Sequence, residues 1–122
     1  MAEDWPAVKG IIIRADKTLT DVEVGDLASY QAAVEGNIEA VTLSDGTTMY
    51  VNEEYRYQFG PEAFNSVASD VCGLGGRLDI MLHGGILGPV LVVGPVDDDG
   101  YDTDITDRAR RWIRRVHREA TV

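Results

Sequence analysis

Apolar and polar residues follow two periods along this chain, and the changes between them mark the elements. Residues 8–15 read Val-Lys-Gly-Ile-Ile-Ile-Arg-Ala, and the β-branched triplet Ile11-Ile12-Ile13 predicts a buried strand. Leu19, Val22 and Val24 predict a short second strand. The period then lengthens: Leu27, Tyr30, Ala33 and Val34 recur every three or four residues, a helical face over 26–35, with Asp26 as N-cap and Gly36 as its C′ stop. Ile38, Val41 and Leu43, then Met49, Tyr50 and Val51, flank Ser44-Asp45-Gly46-Thr47. An Asp-Gly pair between two strand-like runs predicts a hairpin. Tyr55-Arg56-Tyr57 alternates like another short strand.

Pro61 stands at the first position of a further helix, whose apolar stripe is Ala63, Phe64, Val67, Ala68 and Val71 and which must stop at Gly73–Gly76. Leu78, Ile80 and Leu82 alternate with polar residues and predict a half-buried strand, broken by Gly84-Gly85. Pro89 to Gly94 is almost continuously apolar, the pattern of a central strand buried on both faces. Finally Ile105, Ala109, Trp112, Ile113, Val116 and Ala120 fall on one face of a helix capped by Thr103 or Thr106. No repeat, linker or low-complexity tract interrupts residues 1–122. The expected fold is a single α+β domain, a mostly antiparallel sheet with about three helices, closed by an arginine-rich amphipathic helix over about 104–119.

Composition narrows the class. With 122 residues, 44% apolar and 26% charged, the chain suits one globular domain with a real core and excludes wholesale disorder. No apolar run approaches the roughly 20 residues of a membrane span, and Met1 to Pro6 has no secretory leader pattern. The single cysteine, Cys72, excludes an internal disulfide and fits a reducing compartment, so a cytoplasmic protein is expected. Asp outnumbers Glu and Arg outnumbers Lys, a bias that fits a GC-rich or salt-adapted genome.

Charge divides the chain. The net charge of −10 splits into +5 over residues 108–122, with six arginines and Glu119, and −15 over residues 1–107. A net acidic surface argues against nucleic-acid binding by the whole molecule. The basic helix admits three uses: pairing with the protein's own acidic surface, contact with nucleic acid or another acidic partner through Arg108, Arg111, Arg115 and Arg118, or self-association. The acidic body admits a DNA-mimic reading, which the basic helix opposes, beside that of a solvated surface.

Few residues announce chemistry. Asn52-Glu53-Glu54 follows a strand end, where three exposed polar side chains would form a rim for a ligand or partner, although neighbouring strand residues face opposite ways. His83, beside Gly84-Gly85, is a further candidate for ligand contact, and His117 is expected to be solvated. Asp97 to Asp104 is rich in carboxylates. Registered on Gly100, however, it puts Pro95 and Thr106 at essential calcium-ligand positions, so a turn with helix-capping acids fits better. Cys72 ends an apolar helix and is expected to be a buried, inert thiol. Gly73-Leu74-Gly75-Gly76 does not complete a dinucleotide fingerprint. No catalytic residue, metal site or cofactor is expected.

Several of these segments together resemble a known family. Leu27 and Tyr30 to Val41, Asp45-Gly46, Val51 to Glu54, Gly88 to Gly94, and Asp99-Gly100 with Thr103 to Asp107 resemble, in order, Domain of Unknown Function 3846 over about residues 9–107. Gly36-Asn37 stands where that family has a double glycine, and Tyr55 where a glycine follows "N-E-E". The resemblance implies a small accessory protein of phages, plasmids and their bacterial hosts, and no mechanism. The expectation is a non-enzymatic binding or protein-interaction module acting on an unknown host or phage protein or a small ligand. The alternatives are a nucleic-acid-associated protein or an anti-restriction DNA mimic. Self-association stays open, and membrane association is not expected.

Overall fold

The computed structural model describes residues 5–121. Five strands form one antiparallel sheet: β1 (Val8–Ile13), β2 (Leu19–Val24), β3 (Ile38–Thr42), β4 (Thr47–Asn52) and β5 (Val90–Pro95), in the order β2-β1-β5-β4-β3. β5 is central, paired on one side with β1 and on the other with β4, and it is apolar on both faces. Its odd and even side chains serve two cores. Val90 and Val92 join Ile11, Ile13, Met49 and Val51 beneath α3 (Ser66–Leu74) and α5 (Asp107–Thr121). Leu91 and Val93 join Val8, Ile12 and Val24 beneath α1 (Leu27–Val34). The α+β class, the antiparallel sheet and the terminal helix are as expected. Among the described residues, no helix is long and apolar enough to cross a membrane.

Several local expectations need correction. Tyr55-Arg56-Tyr57 is not a strand but a single helical turn, α2 (Tyr55–Gln58), closed by the amides of Tyr57 and Gln58 donating to the Glu54 carbonyl. Leu78, Ile80 and Leu82 are also helical, in α4 (Leu78–Leu82). Over five residues, period two cannot be told from the i, i+4 pair Leu78/Leu82, and both leucines are exposed. Pro61 opens only a 3-10 turn (Pro61–Ala63). The long helix starts later, at Ser66, because buried Asn65 caps it through the Ala68 amide; Phe64 is therefore outside the helix and exposed.

Two termini also shift. The left-handed residue ending α1 is Glu35 (φ 62), not Gly36. Gly36 is needed for a different reason, since a Cβ there would lie 2.5 Å from the Asn52 side-chain nitrogen. The terminal helix runs over 107–121, with Thr106 Oγ1 accepting from the Ala109 amide.

Candidate functional site

The expected rim at the end of β4 does not form as three exposed side chains. Asn52 is 2% exposed. Its Nδ2 donates to the carbonyls of Val34 and Glu35 and to Gln58 Oε1 (3.2, 3.2 and 3.0 Å), and its Oδ1 accepts from the Glu54 amide (2.8 Å). Asn52 therefore locks the end of α1 to β4, satisfying carbonyls that the helix end leaves without partners. Glu53 and Glu54 are exposed. Glu53 borders a hollow of about 340 Å³ with Tyr55, Arg56, Arg77 and Asp79, of which neither Glu54 nor His83 is part. His83 is exposed at the C-terminal end of α4, its Nδ1 2.7 Å from the Asp79 carbonyl. The structure thus does not gather Asn52, Glu53, Glu54 and His83 into one place.

The six arginines of α5 divide into two rows. Arg110 and Arg114 face β2 and pair with Asp21, and His117 on the same side lies 2.8 Å from the Lys17 carbonyl. Arg108, Arg111, Arg115 and Arg118, at steps of three, four and three, form one exposed stripe. None of these four makes an ion pair among the described residues.

The strongest constellation lies on the α1 face of the sheet. A cavity of about 370 Å³ is lined by Trp5, Pro6, Tyr30, Tyr50, Gly100, Tyr101 and Asp102. Tyr30 points inward from α1, and Tyr50 rises from β4 on the same face. Their rings meet edge to face at 5.1 Å, and Trp5 meets Tyr30 likewise at 4.8 Å. Both tyrosine hydroxyls donate to one oxygen, Asp102 Oδ2, at 2.9 Å from Tyr30 and 2.7 Å from Tyr50. Burial, followed by the hydrogen bond to Asp102, pushes both phenols well above the usual tyrosine range, so they stay neutral donors. The lining contains no arginine, lysine or histidine.

The acidic loop after β5 positions that carboxylate. Asp97 Oδ1 accepts from the amides of Asp99 (2.9 Å) and Tyr101 (3.0 Å), so this carboxylate serves the turn, as expected, whereas the helix that follows is capped by Thr106 and not by an acid of this cluster. Beyond the turn the loop is fixed to the sheet. The Gly94 amide donates to the Thr103 carbonyl (2.8 Å), the Ile105 amide to the Lys9 carbonyl (2.9 Å), and the Lys9 amide to Asp104 Oδ1 (2.8 Å). Gly94 permits this approach, because a Cβ there would collide with the Asp104 carbonyl. Asp102 is thereby held under the tyrosines by backbone bonds on either side of it.

Sequence reasoning assigned none of these cavity residues to a site. In the sequence Tyr30 reads as an apolar position of a helix face and Tyr50 as a strand residue. A usable signal was present nonetheless: a buried tyrosine hydroxyl demands a partner, and two of them demand an acceptor such as Asp102.

The family model described as "Domain of unknown function (DUF3846)" matches residues 8–117. No curated protein and no solved structure matches the chain.

Proposed function

We infer, from the premise that the chain belongs to the family described as Domain of unknown function (DUF3846), that it is a non-enzymatic binding module whose aromatic cavity takes an organic cation. The observation that carries this reading is one carboxylate, Asp102, set among Trp5, Tyr50 and Tyr101 in a cavity whose lining supplies no positive charge. The two tyrosine hydroxyls donate to Oδ2 and bring no positive charge, and the side of the group away from Oδ2 is left to pair with a ligand. Aromatic faces attract alkylammonium and guanidinium groups by about 0.5–2 kcal/mol each, and a carboxylate adds charge pairing. A cavity of about 370 Å³ suits one such head group rather than a large cofactor. The non-enzymatic part of this reading draws on the same lining. It offers no histidine, cysteine or lysine, and the phenols of buried Tyr30 and half-buried Tyr50 are held far from ionisation near neutral pH. This reading keeps the setting that the family resemblance implies, a phage or plasmid accessory protein working in the bacterial cytoplasm.

Titration with tetramethylammonium, arginine methyl ester and the neutral isostere tert-butanol tests it, with the Trp5 indole N–H followed by NMR. Saturable shifts are expected with one or both cations and none with tert-butanol. Asp102→Asn, whose carbonyl oxygen can still accept from a tyrosine, should weaken binding at least 10-fold while far-UV circular dichroism is unchanged. Equal response to the neutral isostere, or undiminished affinity in D102N, would refute the reading.

A further inference from the structure

The opposite face of the sheet carries an apolar groove between α5 and the α3–α4 pair. Two adjoining hollows, of about 310 and 370 Å³, share Leu74 and run along α5 from Arg108 to Ala120. Leucines of its lining that would ordinarily be covered are open to water: Leu74 is 70% exposed and Leu78 59%. Charged side chains border both ends of the groove, and its one cation among the described residues lies at the start of α5. The hollow at the start of α5 is bordered by Arg108 and Asp45, and the one at its end by Asp70 and Glu119. None of Arg108, Asp70 and Glu119 has an ion-pair partner among the described residues.

We propose that this groove docks a second copy of the chain, related by a two-fold axis with the two α5 helices antiparallel. An isologous contact reverses the groove on itself, so Arg108 of one copy comes to the end that carries Glu119 of the other. Arg108 and Glu119 are eleven residues apart, roughly 16 Å along a helix at 1.5 Å per residue, and lie on the same side. Antiparallel pairing that sets Arg108 against the partner's Glu119 also sets half-buried Trp112 against the partner's Arg115, within reach of a cation–π contact. Leu74 and Leu78, which line the groove, are then covered by the partner copy. An extended polyanion fits the groove less well, because it would meet Asp45, Asp70 and Glu119 there and a body of charge −15 beyond. The cation cavity lies on the α1 face, so it stays open in the dimer and the inference does not depend on it.

Long-range repulsion between two copies of net charge −10 makes the contact salt-dependent, with tighter association as screening increases. Sedimentation equilibrium of the full chain, from 10 μM to 1 mM at 0.05 and 0.5 M NaCl, is the test. A monomer–dimer equilibrium is expected, tighter at the higher salt. Arg108→Glu and Glu119→Arg should each weaken it at least 10-fold. The double variant, which restores opposite charges across the axis, should recover most of the loss. Leu78→Asp, at an already exposed position, should give a folded monomer by circular dichroism. A wild-type chain that stays monomeric to 1 mM at both salts, or a double variant no better than the singles, would overturn the proposal. So would saturable binding of a 20-base-pair duplex or an acidic helical peptide to a monomer through Arg108 and Arg111.

Discussion

Asn65 is fully buried, and its side chain reaches three segments at once. Nδ2 donates to the carbonyls of Ile13 and Gly88, each at 2.9 Å, and Oδ1 accepts from the Ala68 amide at 3.0 Å. A cap alone would tolerate aspartate as well as asparagine. Here aspartate would keep the cap but turn a carboxylate toward two carbonyls. Asn65→Ala should therefore cost about 1–3 kcal/mol for the buried groups it strands, and Asn65→Asp at neutral pH at least as much. Urea unfolding of the two variants checks this, and a harmless N65D would reduce the residue to a cap. Cys72 illustrates the opposite case, a group that burial silences. Its thiol is pushed up to about 12 and its Sγ lies 3.4 Å from Met49 Sδ. Labelling by iodoacetamide at pH 8 should proceed only as fast as the protein opens. Rapid labelling of the native state would contradict that burial.

Within α5 the same helix carries two kinds of contact of very different worth. Ile113 is fully buried between β-sheet and α3, whereas Arg110 and Arg114 reach Asp21, whose side chain is 66% exposed. Ile113→Ala should cost about 2–5 kcal/mol by transfer and cavity terms. Arg110→Ala should cost less than about 1 kcal/mol, since an exposed pair is solvated and screened. Thermal melts of both variants would show whether packing or charge anchors the helix. The same contrast explains which elements the sequence makes legible. α5, α1 and the β3–β4 hairpin repeat their pattern long enough, or carry a turn signal strong enough, to be read directly. α2 and α4 span four and five residues, too short for Tyr55/Tyr57 or Leu78/Leu82 to reveal their period. Asn52 defeats sequence reading differently. Its position at a strand end suggests exposure, and only the packing of α1 across it makes it a buried link.

At the scale of the molecule, the candidate cavity joins residues 5–6, 30, 50 and 100–102, so no local window of sequence contains it. The arginine stripe and the acidic loop are visible along the chain, but the meeting of Asp102 with Tyr30 and Tyr50 is a product of the sheet order, which brings β4 beside β5 under α1. That meeting couples the cavity to stability at alkaline pH. Both phenols have folded pKa values raised above the unfolded value near 10, because burial and Asp102 oppose tyrosinate. Native structure then binds protons that the unfolded chain releases. Their contribution is complete below about pH 10 and is lost as pH rises above it, by about 1.4 kcal/mol per pH unit for each tyrosine. Tyrosinate absorbance from these two residues should appear only in step with loss of the circular dichroism signal. Tyr50→Phe should remove one proton from that coupling and flatten the decline of stability between pH 10 and 12. If Tyr30 and Tyr50 both ionised at high pH while the fold stayed intact, their hydroxyls would be solvent-served rather than bound to Asp102, and the carboxylate on which cation recognition depends would lose the bonds that fix it in the cavity.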